Sequence, residues 1–292
     1  MHQYMKAIGF NLRDGKELKE ILREVESNFT KKLIVSYQKT EDFCEYKKEF
    51  GANIGISLCG VLDTNEEFDS SFYSPYFVGS GITTYAEVMV ERKYEKEQYV
   101  GICEDPSIGI SLIFFLQNSV EYMRDKHLRI NVPRKASVTF SGLALSGKIL
   151  FPVQKNEQQV RSEKEALSKR KMLIHAARSG DQTAMETLTL DDMDIYSKVS
   201  RRLIHEDVFS IVDTYFMPYG VECDLYAVLG EILKVHTVEN THTKEKLYQL
   251  RLEINELQFD ICIPVKEMMG EPAVGRRFKG NIWLQGRINF PT

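Results

Sequence analysis

The end of the chain alternates apolar and polar residues with the period of a β-strand. Every even position from 282 to 290 is apolar or glycine. The odd positions carry, in order, Asn281, Trp283, Gln285, Arg287 and Asn289. Successive side chains of a strand point to opposite faces. The pattern therefore predicts a strand at 282–290 with one apolar face and one solvated face. The only tryptophan of the chain lies on the face predicted to be solvated.

Two stretches just upstream predict a β-hairpin of defined register. Residues 248–254 are apolar at even positions, and residues 257–263 are apolar at odd positions. A two-residue loop, Asn255-Glu256, would pair residue 254 with 257 and residue 252 with 259. This register places both apolar sets on one face of the ribbon. A longer loop is the alternative, because glutamate adopts the left-handed conformation less readily than asparagine does.

The first half of the chain has the signals of a mixed α and β domain. Asp14 and Glu17 form a capping box before a helix with one apolar face. A strand is predicted at 31–37, and Thr40 is interpreted as the cap of a short helix that carries Phe43 and Phe50. Segments rich in β-branched and aromatic residues predict further strands at 53–62, 85–91, 98–103, 108–116 and 136–151. We interpret 70–81 as an aromatic, glycine-bearing loop; 116–125 is a helix candidate that the period alone does not settle.

The composition changes after residue 155 to strong helix formers with dense charge of both signs. Gly180 and Asp181 predict the end of one helix and the N-cap of the next. A further helix is predicted from Thr189. Its first turn would carry an acidic run, which complements the helix dipole. The run consists of Asp191, Asp192 and Asp194. Because the apolar positions keep helical spacing, we expect this connector to be packed.

These elements predict an α+β protein in three parts. The parts are an N-terminal α+β domain at 1–154, a helical connector at 155–205 and a C-terminal β-rich domain at 206–292. In the last part, the β-hairpin would join strands at 225–238 and 282–290. We expect a small, mostly antiparallel sheet or a part-open barrel, with the oligonucleotide-binding type as one candidate.

Composition and charge narrow the classes of function. The net charge of −4 argues against a protein coated in cations, so any nucleic-acid role would have to be local. The five cysteines are widely spaced and form no CxxC pair, which is typical of reduced thiols in a cytoplasmic protein. The N-terminus lacks a signal-peptide pattern, and no apolar run reaches the roughly 20 residues of a membrane span. We expect a cytoplasmic protein without a membrane partner.

The motifs of common catalytic sites are incomplete in this sequence. GLALSGKI (142–149) matches most of a P-loop, but Ile149 replaces the Ser or Thr that binds magnesium. We interpret it as a glycine-bent β-segment. The histidines have no metal-ligand spacing, and His175 is interpreted as partly buried. We expect no metal, no cofactor and no catalytic residue, and lean against an enzyme. The open alternative is a site built between domains from Asp191, Asp194, His205 or the 75–85 loop.

The C-terminal strand offers the best candidate binding residues. Four cations lie near the tryptophan in the sequence, and an indole beside guanidinium groups can stack a base. The candidate binding set is Trp283, Arg287, Arg276, Arg277 and Lys279. The alternative is that the indole is packed, either beneath the connector helix or against a second subunit. Packing is the preferred interpretation.

Four stretches resemble a known family over nearly the whole chain. They are MHQYMKAIGF (1–10), PYFVGSGITTY (75–85), EDVFSIVDTYFMPYGVECDLYAVLGEI (206–232) and GEPAVGRRFKGNIWLQGRI (270–288). The family is an uncharacterised one of anaerobic Gram-positive bacteria, known only as a domain of unknown function. The resemblance implies a bacterial cytoplasmic protein and assigns no role to any residue.

Two functions follow from these observations. The preferred hypothesis is a non-catalytic binding or assembly protein, with a protein partner or self-association. Solvent-face aromatics suit protein contacts, namely Trp283 together with Tyr73, Tyr76 and Phe77 of the 70–81 loop. The alternative is a nucleic-acid-binding regulator that uses the 276–287 surface.

Overall fold

The computed structural model describes residues 2–36, 41–93, 98–128, 137–153 and 156–290. The first half begins with a 3-10 helix, His2–Ile8, and the helix α1, Gly15–Ser27. The strands that follow are β1 (Lys31–Ser36), β2 (Asp42–Gly51), β3 (Ile54–Leu62), β4 (Phe68–Phe77), β5 (Val88–Arg92), β6 (Tyr99–Glu104) and β7 (Ser111–Leu116). The helix α2 (Ser119–Leu128) and the long strand β8 (Ser137–Leu150) complete this half.

The second half begins with two long helices and a short one, followed by strands. The helices are α3 (Glu157–Arg178), α4 (Gln182–Arg202) and α5 (Val208–Ile211). The strands are β9 (Tyr215–Pro218), β10 (Leu225–Glu239), β11 (Lys246–Ile254), β12 (Leu257–Pro264), β13 (Met268–Met269) and β14 (Arg277–Asn289), with a 3-10 turn at Val265–Glu267. The protein is a mixed α+β protein, as predicted.

The first sheet is an antiparallel meander of β1, β2, β3 and β4 in that order. The helix α1 covers it with Ile21 and Val25, both buried. The predicted cap is confirmed, because the Asp14 carboxylate accepts hydrogen bonds from the N–H groups of Lys16 and Glu17. The end of the strand predicted at 31–37 and the cap residue Thr40 lie outside the described residues.

Two predictions in this sheet are wrong. Phe43 and Phe50 do not lie on a short helix, since they belong to β2, which pairs with β1 and β3. The predicted loop at 70–81 is largely the edge strand β4, where Pro75 is tolerated because an edge strand need not donate every ladder bond. Tyr76 and Phe77 are consequently buried, and they cannot serve as solvent-exposed contact residues.

The second sheet closes into a five-stranded barrel. Its strands follow the order β8, β12, β11, β10 and β14, and β14 then pairs back with β8. The contact of β8 with β12 is parallel, and the others in the ring are antiparallel. The segment 142–149 is part of strand β8, which confirms the β interpretation of the P-loop-like motif. Because β8 precedes the predicted connector, the barrel contains strands from both predicted domains, whose boundaries stay a prediction.

The predicted β-hairpin register is confirmed. Ile254 pairs with Leu257, and Leu252 pairs with Phe259. Asn255 and Glu256 form the two-residue loop, with φ of 50° and 69°, so both adopt the left-handed conformation of a primed turn. Leu252 and Phe259 are fully buried in the same core. The alternative of a longer loop is excluded.

The strand β14 alternates as predicted, but its second face is exposed only at Asn281 and Arg287. The even residues, such as Ile282 and Leu284, fill the barrel interior. On the other face, Gln285 is buried and donates from its side-chain amide to the Pro75 carbonyl at 2.8 Å, and its oxygen accepts from Gln117 at 2.7 Å. The prediction of a wet face is wrong here because β4, α2 and the N-terminal 3-10 helix cover the barrel wall.

The two long helices, α3 and α4, form an antiparallel helical hairpin. Gly180, at φ 91°, ends the first helix, and the Asp181 carboxylate caps the second by accepting from the N–H of Ala184. The helix predicted to begin at Thr189 does not exist separately, since α4 continues through that position. Among the residues that the structure describes, none of the helices combines the length and apolar character that a membrane span requires.

Candidate functional site

The lone tryptophan packs inside the protein. Trp283 is 3% exposed, and its ring lies against those of Tyr4 and Phe115, with centroids 5.3 and 5.1 Å away. Its indole N–H donates to the Asp224 carboxylate at 3.0 Å. The covering group is the N-terminal 3-10 helix, and neither the connector helix nor a second subunit is needed to bury the indole. In this arrangement the indole has no free face for a base.

Arg287 lies on a different surface from the other predicted cations. Its guanidinium contacts the Glu121 carboxylate at 3.1 Å, and Lys31 contacts the same carboxylate at 3.2 Å. Burial alone would raise the pKa of Glu121, but the hydrogen bond from Asn118 and the charges of Arg287 and Lys31 lower it. Arg287, Glu121 and Thr139 are among the residues that line a polar cavity of about 530 Å³.

Arg277 has hydrogen-bond acceptors that the sequence did not indicate. It is 4% exposed, and its guanidinium donates to four backbone carbonyl groups. The acceptors are Phe151 at 2.9 Å, Val212 at 2.9 Å, Asp213 at 3.2 Å and Phe209 at 2.7 Å. Burial lowers the pKa of this guanidinium, and the nearby Asp213 opposes that shift. Arg277 thus joins the segment before the helical hairpin to the segment after it. We call these two segments, Phe151 and residues 209–213, the hairpin base.

The two neighbouring cations contact the same segments. The Arg276 guanidinium lies 5.7 Å from the centre of the Phe151 ring, and the Lys279 ammonium lies 4.1 Å from the centre of the Phe209 ring. Both distances are typical of cation–π contacts. Three of the five predicted binding residues therefore converge on the hairpin base, while Trp283 and Arg287 lie elsewhere.

Beyond its base, the helical hairpin forms ion pairs with the barrel and with β6. Lys171 of α3 forms an ion pair with Glu256 in the β-hairpin loop. Arg178, at the end of α3, lies 3.5 Å from the Glu104 carboxylate. All four side chains are at least one-third exposed, and exposed ion pairs of this kind contribute little to stability. The helical hairpin is therefore held firmly at its base and loosely along its length.

A cavity of about 560 Å³ lies between the helical hairpin and the barrel. Asp191 and Asp194 line it together with Lys169 and Lys198. Neither His205 nor the 75–85 segment is among the lining residues, so the predicted cross-domain site is only partly assembled. The acidic run lies in the interior of α4 and not at a helix start, which corrects the capping interpretation. Within the described part of the chain, no group of three His, Cys, Asp or Glu side chains is placed to share a metal ion.

The opposite side of the helical hairpin exposes large apolar side chains. On α4, Met185 is 45% exposed, Met193 63% and Tyr196 75%. Their spacing of eight and three residues places them on one helical stripe. Met172 on α3 is 65% exposed. None of the four lines the cavity beneath the helices. We call these four side chains the outer stripe.

The prediction that the connector is packed is therefore correct for one face of the helices only. Ala184 is buried, and Leu188 and Val199 are partly buried on the inner face of α4. His175, predicted to be partly buried, is exposed. The signal for the outer stripe was present in the sequence as a second apolar repeat on the same helix.

A family model matches residues 5–286, and its description is a domain of unknown function, E. rectale gene description (DUF3881). The chain belongs to the DUF3881 family. The match confirms the resemblance to an uncharacterised family. Comparison with curated proteins found no match, and comparison with solved structures found none.

The DUF3881 match extends over both sheets, the barrel and the helical hairpin. The helical hairpin and its base are thus part of the region that defines the family. The family description assigns no activity, so the chemistry of the described surfaces has to carry any proposal.

Proposed function

We propose that this protein is a non-catalytic binding or assembly protein, and that the outer stripe of the helical hairpin is its contact surface. The observation that carries the proposal is the exposure of Met185, Met193 and Tyr196 on one stripe of α4, together with that of Met172 on the adjacent helix α3. Large apolar groups clustered on a surface are typical of protein contact sites. Methionine and tyrosine are enriched in such contacts.

The construction of the helical hairpin supports this role. Arg277 fixes both segments of the base through buried hydrogen bonds, so the helices project from a rigid support. A rigid support reduces the conformational entropy that a partner must overcome on binding. Unbranched methionine side chains can adapt to the shape of that partner.

The same proposal places the protein in the cytoplasm. All five cysteines are free thiols, and thiols stay reduced in that compartment.

The nucleic-acid alternative has less support from the same surfaces. It relied on Trp283 and Arg277, which are 3% and 4% exposed. The cations Arg276 and Lys279 are engaged with the aromatic rings of the hairpin base. A base-stacking platform needs an accessible aromatic face beside free cations, so we prefer the assembly proposal.

Site-specific photo-crosslinking in cells tests the proposed surface. A photo-crosslinking phenylalanine derivative would replace Tyr196, which is 75% exposed on the outer stripe. The matched control replaces Tyr85, which is 74% exposed outside the helical hairpin. We expect discrete protein adducts from position 196 and none from position 85. Equal labelling at both positions, or none at position 196, would contradict the proposal.

A further inference from the structure

We propose that the partner on the outer stripe is a second copy of this chain, packed hairpin against hairpin about a two-fold axis parallel to the helices. This inference rests on the proposed function, because it names the occupant of the same surface. The two helical hairpins would form an intermolecular four-helix bundle. Bundles of this kind pack their helices nearly parallel or antiparallel, at about 20°.

The charged group left free on the outer side of the helical hairpin is the first argument. Most charges of the two helices are engaged within the chain: Lys171 and Arg178 pair with Glu256 and Glu104, Arg170 pairs with Asp192, and Lys169, Asp191 and Asp194 line the cavity beneath the helices. Glu186 on α4 belongs to none of these contacts and is exposed. It is therefore available to a polar group on α3 of a second copy, as an isologous interface requires.

The symmetry places an imidazole of one copy and a carboxylate of the other at matching heights. A two-fold axis parallel to the helices keeps each residue at its distance from the turn and lays α3 of one copy over α4 of the other. His175 precedes Gly180 by five positions, and Glu186 follows it by six. At a rise of about 1.5 Å per residue, their heights differ by about 1.5 Å. Both side chains are exposed, and within the described residues Glu186 has no ion-pair partner of its own chain.

The apolar groups match in the same way. Met172 lies eight positions before Gly180, and Met185 and Thr189 lie five and nine positions after it. The Met172 side chain would therefore pack between Met185 and Thr189 of the second copy. Nearer the base, Arg161 and Tyr196 are both exposed and lie nineteen and sixteen positions from Gly180. A difference of three residues, about 4.5 Å, is within the reach of an arginine side chain.

The available area is adequate for a stable dimer. The helix α3 has 22 residues and is about 33 Å long, and two adjacent helices are about 20 Å wide. The outer face therefore measures roughly 660 Å² per copy, or about 1,300 Å² in total, which falls within the range of specific interfaces.

Sedimentation equilibrium of the purified full chain tests the inference. The monomer mass is 33.7 kDa, and we expect a reversible dimer of twice that mass. Met172→Glu should raise the dissociation constant at least about tenfold, since it buries a charge in the interface. Met269→Glu is the matched control, because Met172 and Met269 are both 65% exposed and Met269 lies on β13. Circular dichroism verifies that each variant keeps its helices.

Charge exchange tests the predicted pairing. Glu186→Lys should weaken the dimer, and the double variant His175→Glu with Glu186→Lys should recover it. Crosslinking of mixed light and heavy nitrogen-labelled protein should join the 157–178 segment of one copy to the 182–202 segment of the other.

Three outcomes would overturn the inference. They are a monomer at every concentration, a dimer unaffected by Met172→Glu, and a double variant no tighter than Glu186→Lys. The failures are distinguishable: a monomeric chain whose position 196 still crosslinks another protein in cells overturns the second copy and leaves the proposed function standing. If position 196 crosslinks nothing, the proposed function fails as well.

Discussion

Replacing Arg277 by methionine should release the hairpin base while the barrel stays folded. Arg277 donates four hydrogen bonds to carbonyl groups of Phe151 and residues 209–213. Methionine keeps much of the side-chain volume but donates none of these bonds. The carbonyl groups would lose a charged donor in a buried setting, and both segments that flank the helical hairpin would lose their common anchor.

The magnitude follows from burial and bond count. A net contribution of about 1.5–3 kcal/mol for each bond to a charged group would overestimate the effect if simply added, because burying the guanidinium itself costs solvation energy. Methionine leaves neutral carbonyl groups and not an unpaired charge, and a buried acceptor without its donor costs about 1–3 kcal/mol. We adopt that range as the minimum for the replacement, which corresponds to a factor of about 5 to 10² in a local opening equilibrium.

Amide hydrogen exchange measured by NMR reports this opening residue by residue. The amides of Ser210 and Val212, which donate to the Asp207 and Val208 carbonyl groups just before the base segment, should exchange faster in the variant. The amides of Leu252 and Phe259 in the barrel should keep their protection. Arg276→Met is the matched control. Arg276 is only partly buried, and its guanidinium donates to the Glu271 carbonyl at 2.7 Å, so we expect a loss of about 1 kcal/mol or less.

Two results would refute this reasoning. If Arg277→Met leaves the exchange of Ser210 and Val212 unchanged, the four hydrogen bonds do not anchor the base. If the variant lowers barrel protection as much as base protection, Arg277 supports the whole fold and not the helical hairpin in particular.

Three further predictions concern the body of the protein. Gly101→Ala should lower the free energy of unfolding in urea by about 1–3 kcal/mol, because a Cβ would overlap the Phe114 ring. The control Gly15→Ala, at a position with open space around it, should change that free energy by less than about 0.5 kcal/mol. Equal losses in the two variants would contradict the packing around Gly101. Glu256→Gly should stabilise the β-hairpin by up to about 1 kcal/mol, since φ is 69° there; a marked loss in urea unfolding would contradict the turn. With a thiol reagent, Cys223 should react rapidly in the native state. The other four cysteines should react slowly, because they are buried and burial raises the pKa of each thiol. A second thiol that reacts rapidly would contradict the burial of these four side chains.

The β-hairpin was predictable because its information is local. Alternation on two adjacent segments and a two-residue loop determine the register without reference to the rest of the chain. The closure of the barrel was not predictable in this way. It depends on β8, which lies more than a hundred residues before β12 in the sequence.

The errors in the first half arise where tertiary pairing overrides local preference. The segment around Phe43 and Phe50 is rich in Glu and Lys, which favour helix, yet it forms the second strand of a sheet. There Glu45 is buried and accepts a hydrogen bond from Ser57. The sequence showed no clean alternation because both faces of β2 are partly covered. Pairing with β1 and β3 decided the outcome.

The residues of the candidate site could be predicted from the sequence in part, but their partners could not. The cations at 276, 277 and 279 were selected for their charge, and the structure gives them partners that no local pattern could indicate. The acceptors of Arg277 lie between 64 and 126 residues away along the chain. The outer stripe was visible as helical spacing, but spacing alone does not distinguish a buried stripe from an exposed one.

Oxidative footprinting of methionine in intact cells tests the central claim most directly. Met172 and Met193 of the outer stripe are 65% and 63% exposed, and Met269 outside the helical hairpin is 65% exposed. In dilute purified protein the three should oxidise at similar rates, because their exposure is matched. In cells we predict that Met172 and Met193 are protected several-fold relative to Met269. Equal oxidation of all three in cells would show that the outer stripe is uncovered where the protein works, and would contradict the account.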